Sequence, residues 1–228
     1  MEGLAAYLRA LHCAVAVPTL PGHATQPDDL RDIPYQQWID TSEKALRELQ
    51  QQHAVVFVIG QSMGGTLALH LAANHRFTGV VTLAAALRLP LHLEIASYVM
   101  APFVPVRYKR NGSDVRDQNG KALLRNYDHY PMSAVRQLMR MLRKVRAELP
   151  AIDMPLLAMH APDDHVVPFD NLALLMSLIK SSAAEQMIVE NSYHVLTVDA
   201  DREIIFSRIR EFIEKHSHKR GRDATQKD

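Results

Sequence analysis

The chain has 228 residues, 47% of them hydrophobic, enough for one good-sized core with room for a small insertion. Its formal net charge of +1 offers nothing in favour of a nucleic-acid or membrane-surface partner, and no apolar run approaches the ~18 residues of a membrane span. The single cysteine, Cys13, excludes an internal disulfide and fits a reducing cytoplasm, and the first residues, with Glu2, Arg9 and His12, lack the basic-then-apolar order of a secretion signal.

In chain order, Leu4, Leu8 and Leu11 predict a short amphipathic helix over residues 1–11. Residues 13–17, Cys-Ala-Val-Ala-Val, read as a buried strand ended by Pro18. A polar loop with Pro27, Asp28 and Asp29 leads to a helix that starts near Pro34 and has Trp38, Ala45, Leu46 and Leu49 on one face. A β-branched run, Val55 to Ile59, predicts the next strand, and Leu67 and Leu71 mark the helix after it. Residues 79–84 are another buried strand. This alternation of strand and helix argues for an α/β protein with a parallel sheet and helices on its faces.

From Leu87 to about Pro150 the rhythm changes. Residues 88–93 and 95–106 are apolar, with Tyr98, Met100 and Phe103, and their content suits ordinary packing or the lining of an apolar substrate site. A polar stretch with Gly112 and Gly120 precedes a helix over 132–149, with Val135, Leu138, Met139, Leu142 and Val145 inward. With no clear strand in so long a segment, residues 87–150 are expected to be a helical cap insertion between core segments 1–86 and 151–216. The sheet resumes at 155–160, a helix follows with Leu172, Leu175, Met176 and Ile179, and 186–190 is the last strand. A final amphipathic helix is expected over 201–216, and 217–228 as a disordered polar tail.

The chemistry concentrates at Gly60-Gln61-Ser62-Met63-Gly64, between a predicted strand and a predicted helix. Patterns of this length also arise by chance in loops, but the strand–turn–helix context is the one this motif needs. The sharp turn strains the serine backbone, so bulk at either flanking glycine is expected to clash. The hydroxyl then stands at a helix N-terminus, which favours developing negative charge. A serine nucleophile needs a base, and the base needs an acid to fix its tautomer. In such sheets functional groups gather beyond the C-terminal strand ends, where Asp164 and His194 lie. The order Ser62, Asp164, His194 belongs to this type of hydrolase rather than to the chymotrypsin or subtilisin arrangement. His160, Asp163, Asp164 and His165 could alternatively be a metal cluster, but they crowd one turn with no distant ligand. No metal and no cofactor is expected.

Four passages carry a resemblance over about residues 1–216: Pro18-Thr-Leu-Pro-Gly-His23, Gly60-Gln-Ser-Met-Gly-Gly65, the run from His160 to Pro168, and Ser192-Tyr-His-Val-Leu-Thr197. With them the chain resembles the α/β-hydrolases, and within these the bacterial carboxylesterase and monoacylglycerol lipase branch. In that family the acid stands four residues before the proline, which selects Asp164 over Asp163. His23 sits in a structural loop and takes no catalytic role. The resemblance implies a serine esterase acting on a small-molecule ester of short or medium acyl length. Ser62 is its nucleophile, His194 its base, Asp164 its acid and the Met63 N–H an oxyanion donor. Thioesterase or acyltransferase chemistry would use the same triad.

The chain also departs from the family. Relatives carry two or three further strands ahead of the segment matching Met1, and the third ends in a His-Gly loop that supplies a second oxyanion donor. That strand lies between those matching 13–17 and 55–59. The expectation is therefore an N-terminally truncated α/β-hydrolase fold, with Met1 an internal methionine and a gap in mid-sheet. The alternative function is an inactive fragment. Oligomeric state is left open.

Overall fold

The computed structural model describes residues 1–90, 93, 95, 106–108, 112–122, 124, 127 and 129–224, with the side chains of 107, 108 and 218–224 left aside. The β-branched and apolar runs form four strands: β1 (Phe57–Gln61), β2 (Gly79–Leu83), β5 (Leu156–His160) and β6 (Ala184–Ile188). They lie side by side in that order, every pair parallel, with Phe57 opposite Gly79, Val80 opposite Leu156 and Leu156 opposite Ala184. Parallel neighbours need a crossover, so helices cover both faces and β2 and β5 are buried at every position.

On one face lie α2 (Tyr35–Gln52), α3 (Met63–Asn74), α5 (Met132–Glu148) and α6 (Asp170–Leu178). Trp38, Leu46, Leu67, Met141, Val145 and Leu172 pack there on Val80 and Leu156. The other face takes α1 (Glu2–Ala10) and α7 (Arg202–Ala224), whose Leu4, Leu8, Ile205 and Phe212 meet Val81, Leu83, Leu157 and Met159. The alternation of even and odd positions along β2 and β5 divides these two cores, as the two-residue period of a strand requires. Helix α3 runs between sheet and outer helices and is buried all round from Gly65 to Ala72. Its His70 Nδ1 meets Glu148 of α5 at 2.6 Å.

Four expectations are corrected. Residues 13–20 form no strand; Val17 is 41% exposed, and Cys13 and Val15 are only half-buried. An apolar segment becomes a strand only where a neighbour takes its backbone hydrogen bonds, and β1, the edge of the four-stranded sheet, does not reach it. Between the two lies an apolar slot of about 480 Å³, lined by Leu4, Leu8, Val15, Leu46, Leu67 and Ile213 among others. Second, the segment read as wholly helical contains an antiparallel ribbon, β3 (Val106–Tyr108) with β4 (His129–Pro131), beside the short α4 (Gln118–Ala122). Three-residue strands are too short to show a period. Residues 96–105 of the apolar stretch, including Tyr98, Met100 and Phe103, lie outside the described residues. Third, α7 continues past His216 to Ala224, through Lys219, Arg220 and Arg222, which are good helix formers, with Gly221 the one poor former and no proline among them; 225–228 lie outside the described residues. Fourth, β6 spans 184–188 rather than 186–190.

Candidate active site

Strand β1 delivers Ser62 at its C-terminal end. The residue sits at φ 54°, ψ −121°, a left-handed conformation that costs a non-glycine residue ~1–3 kcal/mol. Hydrogen bonds hold it there: its N–H donates to the Leu83 carbonyl at 2.8 Å, and its own carbonyl accepts from Thr66 N–H at 3.1 Å. Thr66 Oγ1 also donates to the Ala86 carbonyl at 2.6 Å, tying the first turn of α3 to the end of β2. A Cβ on Gly60 would stand 2.0 Å from the Gly64 carbonyl oxygen, so that glycine is required by space alone. The expected clash at Gly64 does not occur, since nothing lies within 4 Å of a Cβ there. The tight second position is Gly65, 2.9 Å from the Ala85 Cβ, where α3 crosses the sheet.

Asp164 lies in the turn after β5, its side chain fully buried. One carboxylate oxygen accepts the N–H groups of Val166 and Val167, each at 2.8 Å. The other faces His194 Nδ1 at 2.8 Å and His160 Nε2 at 3.1 Å. Burial alone would raise its pKa. The hydrogen bonds from His160 and His194, the charge of His194 and the Val167 N–H outweigh burial and hold the carboxyl well below its ordinary range. His194, in the loop after β6 and 7% exposed, turns its Nε2 to Ser62 Oγ at 2.9 Å. Three side chains from three strand ends thus form one unbroken line of hydrogen bonds. Such a line can draw the hydroxyl proton onto the imidazole while the carboxylate fixes the ring and balances its charge.

Met63 is the first residue of α3, so its N–H has no acceptor within the helix and is free for a negative oxygen beside Ser62. His23 stands apart, with Nδ1 3.2 Å from the Pro21 carbonyl and its ring edge-on to Trp38. The four residues considered as a metal cluster diverge: His160 serves Asp164, His165 turns to Asp114 at 2.9 Å, and Asp163 pairs with Arg116 at 2.8 Å. Among the described residues no group of three or more metal-ligating side chains converges.

Sequence reasoning missed the residues that hold this arrangement. Asp199, fully buried, accepts the N–H groups of Tyr193, Arg116, Asp117 and Ala200 at 2.7–3.0 Å. Asp114 accepts the N–H of His194 at 3.2 Å and of His165 at 3.0 Å, joining the loop of the acid to that of the base. Gln61 Oε1 takes the Thr197 N–H at 3.3 Å. Neither aspartate stands in any motif, because both act through long-range backbone contacts.

A mostly parallel sheet flanked by helices, with a strained serine after one strand and its partners after two others, defines an α/β-hydrolase. The chain belongs to that superfamily, in the carboxylesterase and monoacylglycerol lipase branch. The Hydrolase_4 family model, described as serine aminopeptidase S33, matches residues 1–201. The chain is similar to the thermostable monoacylglycerol lipase of Bacillus sp. (strain H-257), 35% identical over 214 residues that cover 93% of this chain and 83% of the relative. It is also similar to a carboxylesterase of Bacillus subtilis (strain 168), 22% identical over 93% of this chain and 85% of the relative. A solved structure from work on the metagenome-derived lipolytic enzymes LipS and LipT superposes with a TM-score of 0.89 at 32% identity, covering 95% of this chain and 88% of that one. No described helix is long and apolar enough to cross a membrane.

Proposed function

We propose that the chain is a serine carboxylic-ester hydrolase, of the carboxylesterase or monoacylglycerol lipase kind, working through an acyl-enzyme on esters of short to medium acyl length. The observation that carries this is the line from Ser62 Oγ through His194 to Asp164, at 2.9 and 2.8 Å. Ser62 attacks the ester carbonyl as His194 Nε2 takes its proton; the Met63 N–H receives the negative oxygen. The C–O bond of the tetrahedral adduct breaks as His194 returns the proton to the leaving alcohol. Water, deprotonated by His194, then attacks the acyl-enzyme and releases the acid and Ser62. Asp164, the acid of this scheme, keeps Nδ1 protonated throughout.

In the same reading, segments 1–86 and 151–216 are the core and 87–150 a small cap over the strand ends. Tyr127 supports this, since its hydroxyl donates to the Gly22 carbonyl at 3.3 Å and accepts the Thr25 N–H at 3.0 Å, and so does the anchoring of Arg116 and Asp117 by Asp199. The lone Cys13 supports a cytoplasmic setting. The test is hydrolysis of p-nitrophenyl esters from acetate to laurate by the purified chain beside Ser62→Ala. Turnover abolished by the substitution is the expected result, and the acyl profile then names the substrate range. A folded chain silent on every ester refutes the proposal.

A further inference from the structure

His160 is a buried imidazole that the hydrolytic cycle does not use. It ends β5, is 2% exposed, and packs edge-on against Phe169 with ring centroids 5.8 Å apart. Its Nε2 lies 3.1 Å from Asp164 Oδ2 and 3.1 Å from the Val167 carbonyl. Both neighbours are pure acceptors, so Nε2 must carry a hydrogen, shared between them. The same Asp164 oxygen also receives His194 Nδ1 at 2.8 Å. One carboxylate oxygen therefore serves two imidazoles, only one of which touches the serine.

We propose that His160 is a positioning residue of the hydrolase: it holds Asp164 in the rotamer that serves His194 and, by drawing on the same oxygen, restrains the basicity of His194. The inference rests on the serine-hydrolase reading of the site. With Oδ1 committed to the Val166 and Val167 N–H groups, the carboxylate is fixed in plane from one side by backbone and from the other by two rings. Removing the His160 donor concentrates the charge of Oδ2 on His194. The imidazolium becomes easier to form, and His194 stays protonated, and idle as a base, to higher pH. The other charged groups around His194 are Asp114 on its backbone N–H, with His165 beside that carboxylate, and Asp199 and Arg116 against Tyr193. None of them contacts His160, so substitution there leaves them in place.

The experiment compares His160→Leu, which keeps bulk but loses the donor, with His160→Gln, whose amide nitrogen reaches about where Nε2 lies. In His160→Leu, kcat falls roughly 10- to 100-fold with KM little changed, the loss of a hydrogen bond to a charged group. The acid limb of kcat/KM moves up by about half a unit or more. His160→Gln recovers most of the rate and returns the limb toward its original place. A merely structural histidine would not move the limb upward. Equal loss in two folded variants, or a limb that stays or moves down, overturns the proposal.

Should the leucine variant not fold, nitrogen NMR of the ¹⁵N-histidine wild type decides the point. The signal of His160, assigned by its absence from His160→Gln, shows Nε2 protonated from about pH 5 to 9 if the hydrogen bond is as drawn, and a bare Nε2 overturns it. Ser62→Ala separates the two readings. A silent wild type, or activity that survives Ser62→Ala, refutes the hydrolase, whereas the nitrogen spectrum still judges the His160 bond.

Discussion

The pair Gly60→Ala and Gly64→Ala sets two glycines of one motif against each other. At Gly60 a methyl carbon would lie 2.0 Å from the Gly64 oxygen, 2.3 Å from its carbon and 2.7 Å from the Gly65 nitrogen. All three are backbone atoms of the first turn of α3, and none can rotate away. Because real Cβ contacts essentially never fall below 3.0 Å, strand and helix must part by about 1 Å. A displacement of that size beside a nucleophile costs on the order of 10² in rate. Overpacking of this kind costs ~1–3 kcal/mol in stability or more. At Gly64 the same methyl meets nothing within 4 Å and the backbone is not left-handed, so alanine instead gains helix propensity, ~0.5–1 kcal/mol. Urea melts and p-nitrophenyl butyrate hydrolysis read both quantities. If Gly64→Ala proves as damaging as Gly60→Ala, then the argument from space is wrong and the motif's second glycine is required for another reason.

Further outcomes follow from other contacts. Asp164→Asn keeps the shape but no longer fixes the His194 tautomer, and kcat should drop ~10³- to 10⁴-fold in a chain that still folds at neutral pH; a tenfold loss would argue against the acid role. Asp199→Ala strands the backbone N–H groups of Tyr193, Arg116, Asp117 and Ala200 in a buried site, and a loss of ~3–5 kcal/mol in the urea melt is expected, whereas a change under ~1 kcal/mol would show that water replaces the carboxylate. The Asp164 carboxyl, held below its ordinary range when folded, binds protons less readily in the folded than in the unfolded state. Its contribution is thus complete above the unfolded value of ~3.9 and is lost as pH falls toward the lower folded value. The stability difference between wild type and Asp164→Asn should accordingly shrink below about pH 4; a difference that grows with acid would reverse the sign.

What could be read from the chain, and what could not, divides by the range of the forces involved. Ser62, Asp164 and His194 were legible because strand ends are local, and strand ends place functional groups. The left-handed backbone of Ser62 was legible from its glycines, although the crowded second position is Gly65 and not Gly64. Residues 13–17 looked like β1 in composition, yet only one of the two is a strand, since pairing depends on a neighbour that composition does not reveal. Asp114 and Asp199 escaped notice because carboxylates in polar loops are common, and their roles depend on backbone N–H groups some 80 residues distant.

The edge position of β1 has a consequence for the nucleophile itself. The Ser62 N–H reaches across to Leu83 on β2, so by the alternation of a parallel ladder Val58 and Gly60 face β2 as well, while Phe57, Ile59 and Gln61 direct their N–H groups into the slot. Amide hydrogens along this one strand should then exchange with solvent in a two-beat pattern, fast at the odd positions and slow at the even ones. The serine falls on the slow beat. Its strained geometry is held from the interior side, so solvent can visit every second peptide of the strand while the hydroxyl keeps its aim.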